Sequence, residues 1–335
     1  MILFSFNCPN CQSENVHVDY VYNTASNGSR KMFICRECRT SFSETKNTFL
    51  AGLRKPVSTI WQVIKERTEG GSLNATCRVF DIAKNTLLSW ERKFTGIYHT
   101  LFIYSMAHAY IEMLIEGDEF YTKVHQNLPP EESKGWTIVL MDRASRFIWE
   151  MTCGKKDRSL FEKAIKTLAD LVERTDDITL LTDGERRYGN ILFEICHELI
   201  RTGKPGRPRK TLKKGVTVRV KNKGSQAHKK GRKKPKYQTT HPQHPETSNN
   251  VSDKETHANH VEANNSAMRR KCSPYRRKTN TYAKSQKGLQ RVLNLYWVIH
   301  NFARVHFTTK EVPAVSLGIV ESGFTAEKLF STQLV

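Results

Sequence analysis

Hydrophobic and polar positions along this chain change period several times, and each change marks a predicted element. Near the N-terminus the β-favouring residues Val16, Val18, Tyr20, Val21 and Tyr22 precede an Asn27-Gly28 turn, and Lys31 to Cys35 reads as the returning strand. From Val57 the period lengthens. Ile60, Trp61 and Ile64 form the apolar stripe of a first helix, which Gly70-Gly71 breaks. Ser72 is placed to N-cap a second helix running through Phe80. Asp81-Ile82-Ala83 makes a tight turn, and Lys84 to Phe94 forms a third helix with Leu87, Leu88 and Trp90 for packing. Residues from about Thr95 to Leu114 then read as an apolar connector helix.

Past this connector the pattern becomes mixed. Leu114 to Val124, Trp136 to Met141 and Phe147 to Cys153 read as strands, the last two joined by the turn Arg143-Ala144-Ser145. Leu160, Phe161, Ala164, Ile165, Leu168, Leu171 and Val172 repeat at helical spacing. Ile178 to Thr182 is a short buried-type strand, and Ile191 to Ile200 a further helix. A helix near His257 to Lys271 ends before Pro274. A last helix carries Leu289, Val292, Leu293, Tyr296, His300 and Ala303 on one face. Strands and helices in this order predict a mixed α/β body.

Charge narrows the partners. The 335 residues carry a formal net charge of +21, which favours a polyanion, because Lys and Arg release counterions from phosphates. Arg201 to Lys236 alone holds sixteen Lys or Arg and no Asp or Glu. Within it, Val216, Val218 and Val220 alternate as in a strand. Met1 to Phe6 lacks a basic leader region. The most apolar stretch, Leu101 to Ile115, is interrupted by His108 and Glu112 and is shorter than the roughly 20 residues of a membrane span. The expectation is a soluble, cytoplasmic protein.

Four of the eight cysteines form two pairs, Cys8/Cys11 and Cys35/Cys38, with twenty-three residues between the pairs. Two Cys-x-x-Cys knuckles of this kind bind one tetrahedral Zn²⁺ from both sides. Four protein ligands leave no open position, so this zinc is structural. It supplies stability that so small a sheet lacks.

The candidate DNA contacts follow. Lys84, Asn85, Thr86, Ser89 and Arg92 lie on the third helix of a predicted helix-turn-helix, in reach of phosphates and base edges. Arg78 flanks them. Gly206-Arg207-Pro208, with Lys204, Arg209 and Lys210, resembles an AT-hook core, whose extended Arg-Pro unit fits a narrow A·T minor groove. The stretch Thr239 to Asn259, with His241, His244 and His257, reads as a loop.

Three carboxylates carry the candidate chemistry. Asp118 lies on or beside a strand. Asp183 sits where the run Ile178-Thr179-Leu180-Leu181 stops. Glu262 shares a helix face with Asn265 and Arg269. Asp142, at a hairpin end, is a rival ligand. The run Val261-Glu262-Ala263-Asn264-Asn265 with Met268-Arg269, then Arg276-Arg277-Lys278-Thr279 and Ser285, resembles the catalytic-Glu region of insertion-sequence-one-type transposases. Asp118-Glu119-Phe120, Thr182-Asp183-Gly184 and Asn301-Phe302 with Arg304 and His306 extend the resemblance over most of the chain.

That resemblance implies an RNase H-like domain in which Asp118, Asp183 and Glu262 hold two Mg²⁺ or Mn²⁺ ions for DNA cleavage and strand transfer. It also implies a nucleoid-associated prokaryotic protein acting on double-stranded DNA as a dimer or larger assembly. Arg269, Arg276, Arg277 and Lys278 then follow the catalytic helix as DNA clamps. The expected organisation is a zinc ribbon over 1–50 and a helix-turn-helix over 55–97. A connector helix over 98–117 leads to an RNase H-like domain over 118–310, with a basic insert at about 201–256 and a tail over 311–335. The insert between Asp183 and Glu262 is a departure from the short spacer of retroviral integrases. A zinc-ribbon and helix-turn-helix transcription regulator with an inactive body is the alternative reading.

Overall fold

The computed structural model describes residues 7–108, 113–175, 177–201, 203, 205–221, 240–247, 252 and 257–334. Part of the connector (109–112), Lys204, the basic run 222–239 and, within the stretch expected to be a loop, residues 248–251 and 253–256 lie outside the described residues. Strands β1 (Val16–Thr24), β2 (Gly28–Cys35) and β3 (Ser41–Ser43) form an antiparallel sheet in that order. Its core is small: Cys8, Cys35 and Phe42, with Val16, Phe33 and Cys38 packed around them.

Three helices follow: α1 (Val57–Thr68), α2 (Leu73–Val79) and α3 (Lys84–Ala107). Ser72 caps α2 by accepting the Ala75 N–H at 3.3 Å. Asp81 takes a left-handed φ of 48° in the turn before α3. The third helix and the connector are one continuous helix, because nothing between Phe94 and Ala107 forces a break; Gly96 is spanned and lies against Leu334. The separate connector over 98–117 is corrected accordingly: helix ends at Ala107, and strand already runs from Met113.

The body is a six-stranded sheet in the order β11-β10-β7-β4-β5-β6. Strands β4 (Met113–Tyr121), β5 (Trp136–Asp142) and β6 (Ile148–Gly154) form an antiparallel meander. On the other side of β4, β7 (Ile178–Thr182) and then β10 (Val216–Val220) run parallel to it. The two-residue β11 (His241–Pro242) closes that edge. Helices α4 (Arg158–Val172) and α5 (Arg186–Ile195) cover one face, where Tyr188 packs against Gly117. Helices α6 (Asn259–Lys271) and α7 (Gln286–Val298) cover the other, and α7 continues as a π-turn over Ile299–Ala303. No helix among the described residues is long and apolar enough to cross a membrane.

One expected element changes, and two others gain a place in the fold. The helix expected over Ile191 to Ile200 ends at Ile195, and His197–Ile200 is strand β8, paired antiparallel with β9 (Arg209–Leu212). The exposed faces of Leu199 and Ile200 give this stretch no buried helical stripe. Arg209 and Lys210 of the AT-hook-like unit therefore sit in a hairpin rather than in a free extended arm. Within the basic insert, the alternation of Val216, Val218 and Val220 forms strand β10, all five residues of which are buried. Finally, residues 311–334 pack back onto the rest of the chain, α8 (Pro313–Ser316) on the π-turn after α7 and α9 (Ala326–Phe330) on α1 of the head. Phe330 stacks on Phe49 at 4.5 Å and meets Trp61 and Phe94 edge-on.

Head and body meet along α3 and α7. Tyr98 and Phe102 pack on Trp297. About two turns away, the buried Glu91 (1% exposed) accepts from Arg67 Nε at 2.7 Å and from Arg291 Nε at 3.1 Å. Removing one member of a buried ion network leaves the others uncompensated. Glu91→Ala is therefore expected to destabilise the protein by about 3–5 kcal/mol, read from denaturant unfolding. A change within error would show that this network contributes little.

Candidate active site

Strand alternation sorts β4 into two faces. Glu116, Asp118 and Phe120 meet α6; Gly117 and Glu119 meet the α5 side. Each of the first three has its own partner on or just after α6. Glu116 is fully buried and accepts the backbone N–H groups of His260 and Val261, both at 2.9 Å, in the first turn of that helix. It also accepts from Arg143 Nε at 2.6 Å and lies 2.8 Å from His260 Nδ1. A carboxylate on the first-turn N–H groups suits the positive end of the helix dipole. Asp118 Oδ2 accepts from Asn265 Nδ2 at 2.8 Å. Phe120 packs on Tyr275, with the Arg269 guanidinium over its ring.

Asp183 follows the last residue of β7, beside β4, ahead of Gly184 at a left-handed φ of 111°. Carboxylate oxygens of Asp118, Glu119 and Asp183 all lie within 4.8 Å of one another. Glu262 lines a small cavity together with Thr182, Asp183, Lys221 and His257. The fold thus brings two of the three expected carboxylates into one cluster and sets the third beside Asp183. Glu119 is the neighbour that sequence reasoning left without a role. It accepts from Lys156 Nζ at 2.5 Å and from the Tyr188 hydroxyl at 3.3 Å, so a cation already offsets its charge. The signal was its position next to Asp118; strand alternation alone argued against it.

Electrostatics match a cation site. Burial, then the charges of Asp183 and Glu119, pushes the Asp118 carboxyl up to about 7. Clustered carboxylates raise one another in this way when no cation intervenes. The donor set is all oxygen, as Mg²⁺ and Mn²⁺ prefer. Asp142 serves elsewhere: its Oδ2 accepts from the Ser145 N–H and hydroxyl, closing the β5–β6 turn. Among the other histidines, His244 stacks on Phe193 at 4.3 Å and bonds to Asn190. His257 and His260 flank Glu116, whose two oxygens are already engaged.

In the ribbon the four thiols of Cys8, Cys11, Cys35 and Cys38 lie within 4.8 Å of one another. Cys8 and Cys38 are 3.4 Å apart, and Cys11 and Cys35 are 3.6 Å apart. Hydrogen bonding to Thr40, with Asn10 adding to it, holds the Cys38 thiol down to about 5, and thiolate is the metal-binding form. The residues present fit a four-thiolate zinc.

The expected DNA contacts fall on the surface. Lys84, Asn85, Ser89 and Arg92 are exposed and Thr86 half-buried, while Leu87, Trp90 and Phe94 turn inward. Arg276, Arg277 and Lys278 are exposed just beyond a short turn, Ser273–Tyr275, after α6. Arg207, Arg209 and Lys210 are exposed on and before the β8–β9 hairpin.

No family model matches the chain, and no curated protein does. Among solved structures it resembles a pre-cleavage Mos1 transpososome, with 9% identity over 43% of this chain and a TM-score of 0.18. It also resembles the Mos1 mariner paired end complex with Mn, at 10% identity over 42% of this chain and a TM-score of 0.17. The match spans 58% and 56% of those two chains. At scores this low, function must be argued from this chain's own side chains.

Two measurements test these sites. Purified protein is expected to carry one zinc per chain by elemental analysis, lost in a Cys35→Ser, Cys38→Ser double variant; equal zinc in both would refute the ribbon site. The second concerns Asp118, whose folded value near 7 lies above the ordinary 3.8. Between those values the unfolded chain has released a proton that the folded chain keeps, so stability falls as pH rises through that window. Without added divalent cation, Asp118→Asn should melt above the wild type at about pH 8 and converge with it near pH 4. A pH-independent difference would contradict this.

Proposed function

We propose that this chain is a DNA transposase of the insertion-sequence-one type. On this reading it binds the ends of a mobile element and catalyses divalent-metal-dependent strand cleavage and strand transfer. The observation that carries the proposal is the placement of Asp118 and Asp183 side by side, each one residue past the last pair of the parallel strands β4 and β7, with the Glu262 and Asn265 face of α6 beside them. β4 is also where the sheet changes direction, since the meander extends to one side and the parallel strands to the other. Open α/β sheets bind their ligands at such a point. Three antiparallel strands followed by two parallel ones, with acids on the central pair, is the arrangement expected of an RNase H-like domain.

The roles follow from the contacts. Asp118, Asp183 and Glu262 are the metal ligands; Glu119, neutralised by Lys156, is a neighbour rather than a ligand. Divalent ions bound there supply Lewis-acid stabilisation of the entering and leaving oxygens of an in-line phosphoryl displacement. Asn265 fixes the Asp118 carboxylate, and Glu116 fixes the first turn of α6 and with it Glu262. Arg269, held over Phe120, and the exposed Arg276, Arg277 and Lys278 sit along the same edge to receive phosphates. The helices α1 to α3 act as a helix-turn-helix that presents Lys84, Asn85, Thr86, Ser89 and Arg92 to the major groove, with Arg207, Arg209 and Lys210 adding backbone contacts. Joining two element ends calls for a dimer or a larger assembly.

The test uses labelled element ends with Mg²⁺. Asp183→Asn and Glu262→Gln are each expected to abolish cleavage and joining while leaving the gel-shift affinity for the same DNA unchanged. Full cleavage by either variant would sink the assignment. Binding by the wild type without any metal-dependent cutting would favour the regulator reading instead.

A further inference from the structure

On the face of α6 turned away from Asp118 lies a second cleft, of about 590 Å³, a size suited to a small ligand. It is bounded by α6, by the β5–β6 turn and by residues 304–308 after α7. Four cationic side chains line it: Arg146, Arg270, Lys271 and Arg304. Three histidines join them, and no Asp or Glu lines it among the described residues. Such concentration of one sign of charge in a concave site attracts an anion.

The cleft is built rather than incidental. Arg304 is oriented by Nη2, which donates to the Thr68 carbonyl and to Glu69 at the end of α1, while its buried Nη1 has no partner. Arg146 holds a left-handed φ of 65°, and its carbonyl accepts from His300 Nε2 at 2.9 Å. Its Nη1 is likewise buried without a partner, as is Asn264 Nδ2. Three buried N–H groups without acceptors on residues lining one cleft are costly unless a ligand supplies oxygen atoms. At the rim, Phe307 is 85% exposed. An exposed aromatic ring beside cationic groups is the platform on which unpaired bases stack.

We propose that this cleft binds an unpaired nucleotide of a DNA strand, its phosphate held by Arg146, Arg304 and Lys271 and its base stacked on Phe307. The inference rests on the transposase reading for the source of the strand. The intervening helix is about 10–12 Å across, roughly three nucleotides at 3.4 Å per stacked step. One strand can thus place a phosphate at the acidic cluster and an unstacked nucleotide in the cleft. An unpaired base there would hold the strand end in register for the chemistry on the other face of α6.

The experiment titrates full-length protein with a short fluorescent oligothymidylate, with no divalent cation added, and compares thymidine monophosphate and inorganic phosphate as competitors. Arg146→Gln and Lys271→Gln should each weaken oligonucleotide binding about tenfold or more, as expected for charge-assisted contacts of half-buried groups. Phe307→Ala, at an exposed position where folding is not at risk, should weaken the oligonucleotide about tenfold and leave phosphate competition unchanged. Equal oligonucleotide binding by all three variants overturns the proposal. Thymidine monophosphate binding as tightly as the oligonucleotide overturns the strand as the ligand and leaves a free-nucleotide site. The two readings fail separately. If Asp183→Asn still cleaves while Arg146→Gln loses the oligonucleotide, the enzyme assignment falls and the cleft stands; the reverse pattern sinks the cleft alone.

Discussion

One carboxylate fixes the geometry on which the candidate site depends. Glu116 sits on the central strand of the sheet, fully buried, and receives the first-turn N–H groups of α6. A buried acid without such partners would be very costly. Here two backbone donors and Arg143 satisfy it, so the helix is held at one position and one angle. Alternation along β4 then does the rest. Two residues on, Asp118 meets Asn265; two further, Phe120 meets Arg269 and Tyr275. Strand and helix are matched at three successive points, and Glu262 is carried to the side of Asp183 as a consequence.

This arrangement shows a division between groups that build and groups left charged. Glu116 and Glu91 are buried acids whose oxygens are saturated by arginine or backbone N–H groups, and both bind separate elements together. Asp118 and Asp183 are half-buried and crowd each other and Glu119; Asp118 is pushed well above the ordinary carboxylate range. Carboxyls perturbed by burial and by neighbouring like charges are common at functional sites. The basic side chains divide in the same way. Arg67 and Arg291 serve the core of the head–body contact, whereas Arg276, Arg277 and Lys278 remain at the surface.

Much of this was legible in the sequence where local chemistry decides structure. The paired cysteines, the Ser72 cap, the three meander strands and the strand ending at Asp183 follow from spacing and period. So does the shared face of Glu262 and Asn265. What was not legible depends on tertiary partners. That residues 84–107 run as one helix was obscured because its two halves have different partners, Phe49 and Phe330 for Phe94 and Trp297 for Tyr98 and Phe102. The His197–Ile200 strand exists only through its pairing with Arg209–Leu212. The strand Val216–Val220 was visible as an alternation, but its place in the core, next to β7, was masked by the lysines and arginines around it. The C-terminal residues carry Phe330, whose burial against Phe49, Trp61 and Phe94 is a long-range contact. The role of Glu116 was hidden for the same reason: the α6 N–H groups it accepts from, those of His260 and Val261, lie more than a hundred residues away.

The most direct measurement of the central claim is anomalous diffraction from crystals soaked in Mn²⁺, which locates the ions without any assay of activity. The account predicts density bridging Asp118 and Asp183, with Glu262 as a further oxygen ligand. Manganese bound instead among Glu116, His257 and His260, or absent from the acidic cluster at saturating concentration, would contradict it.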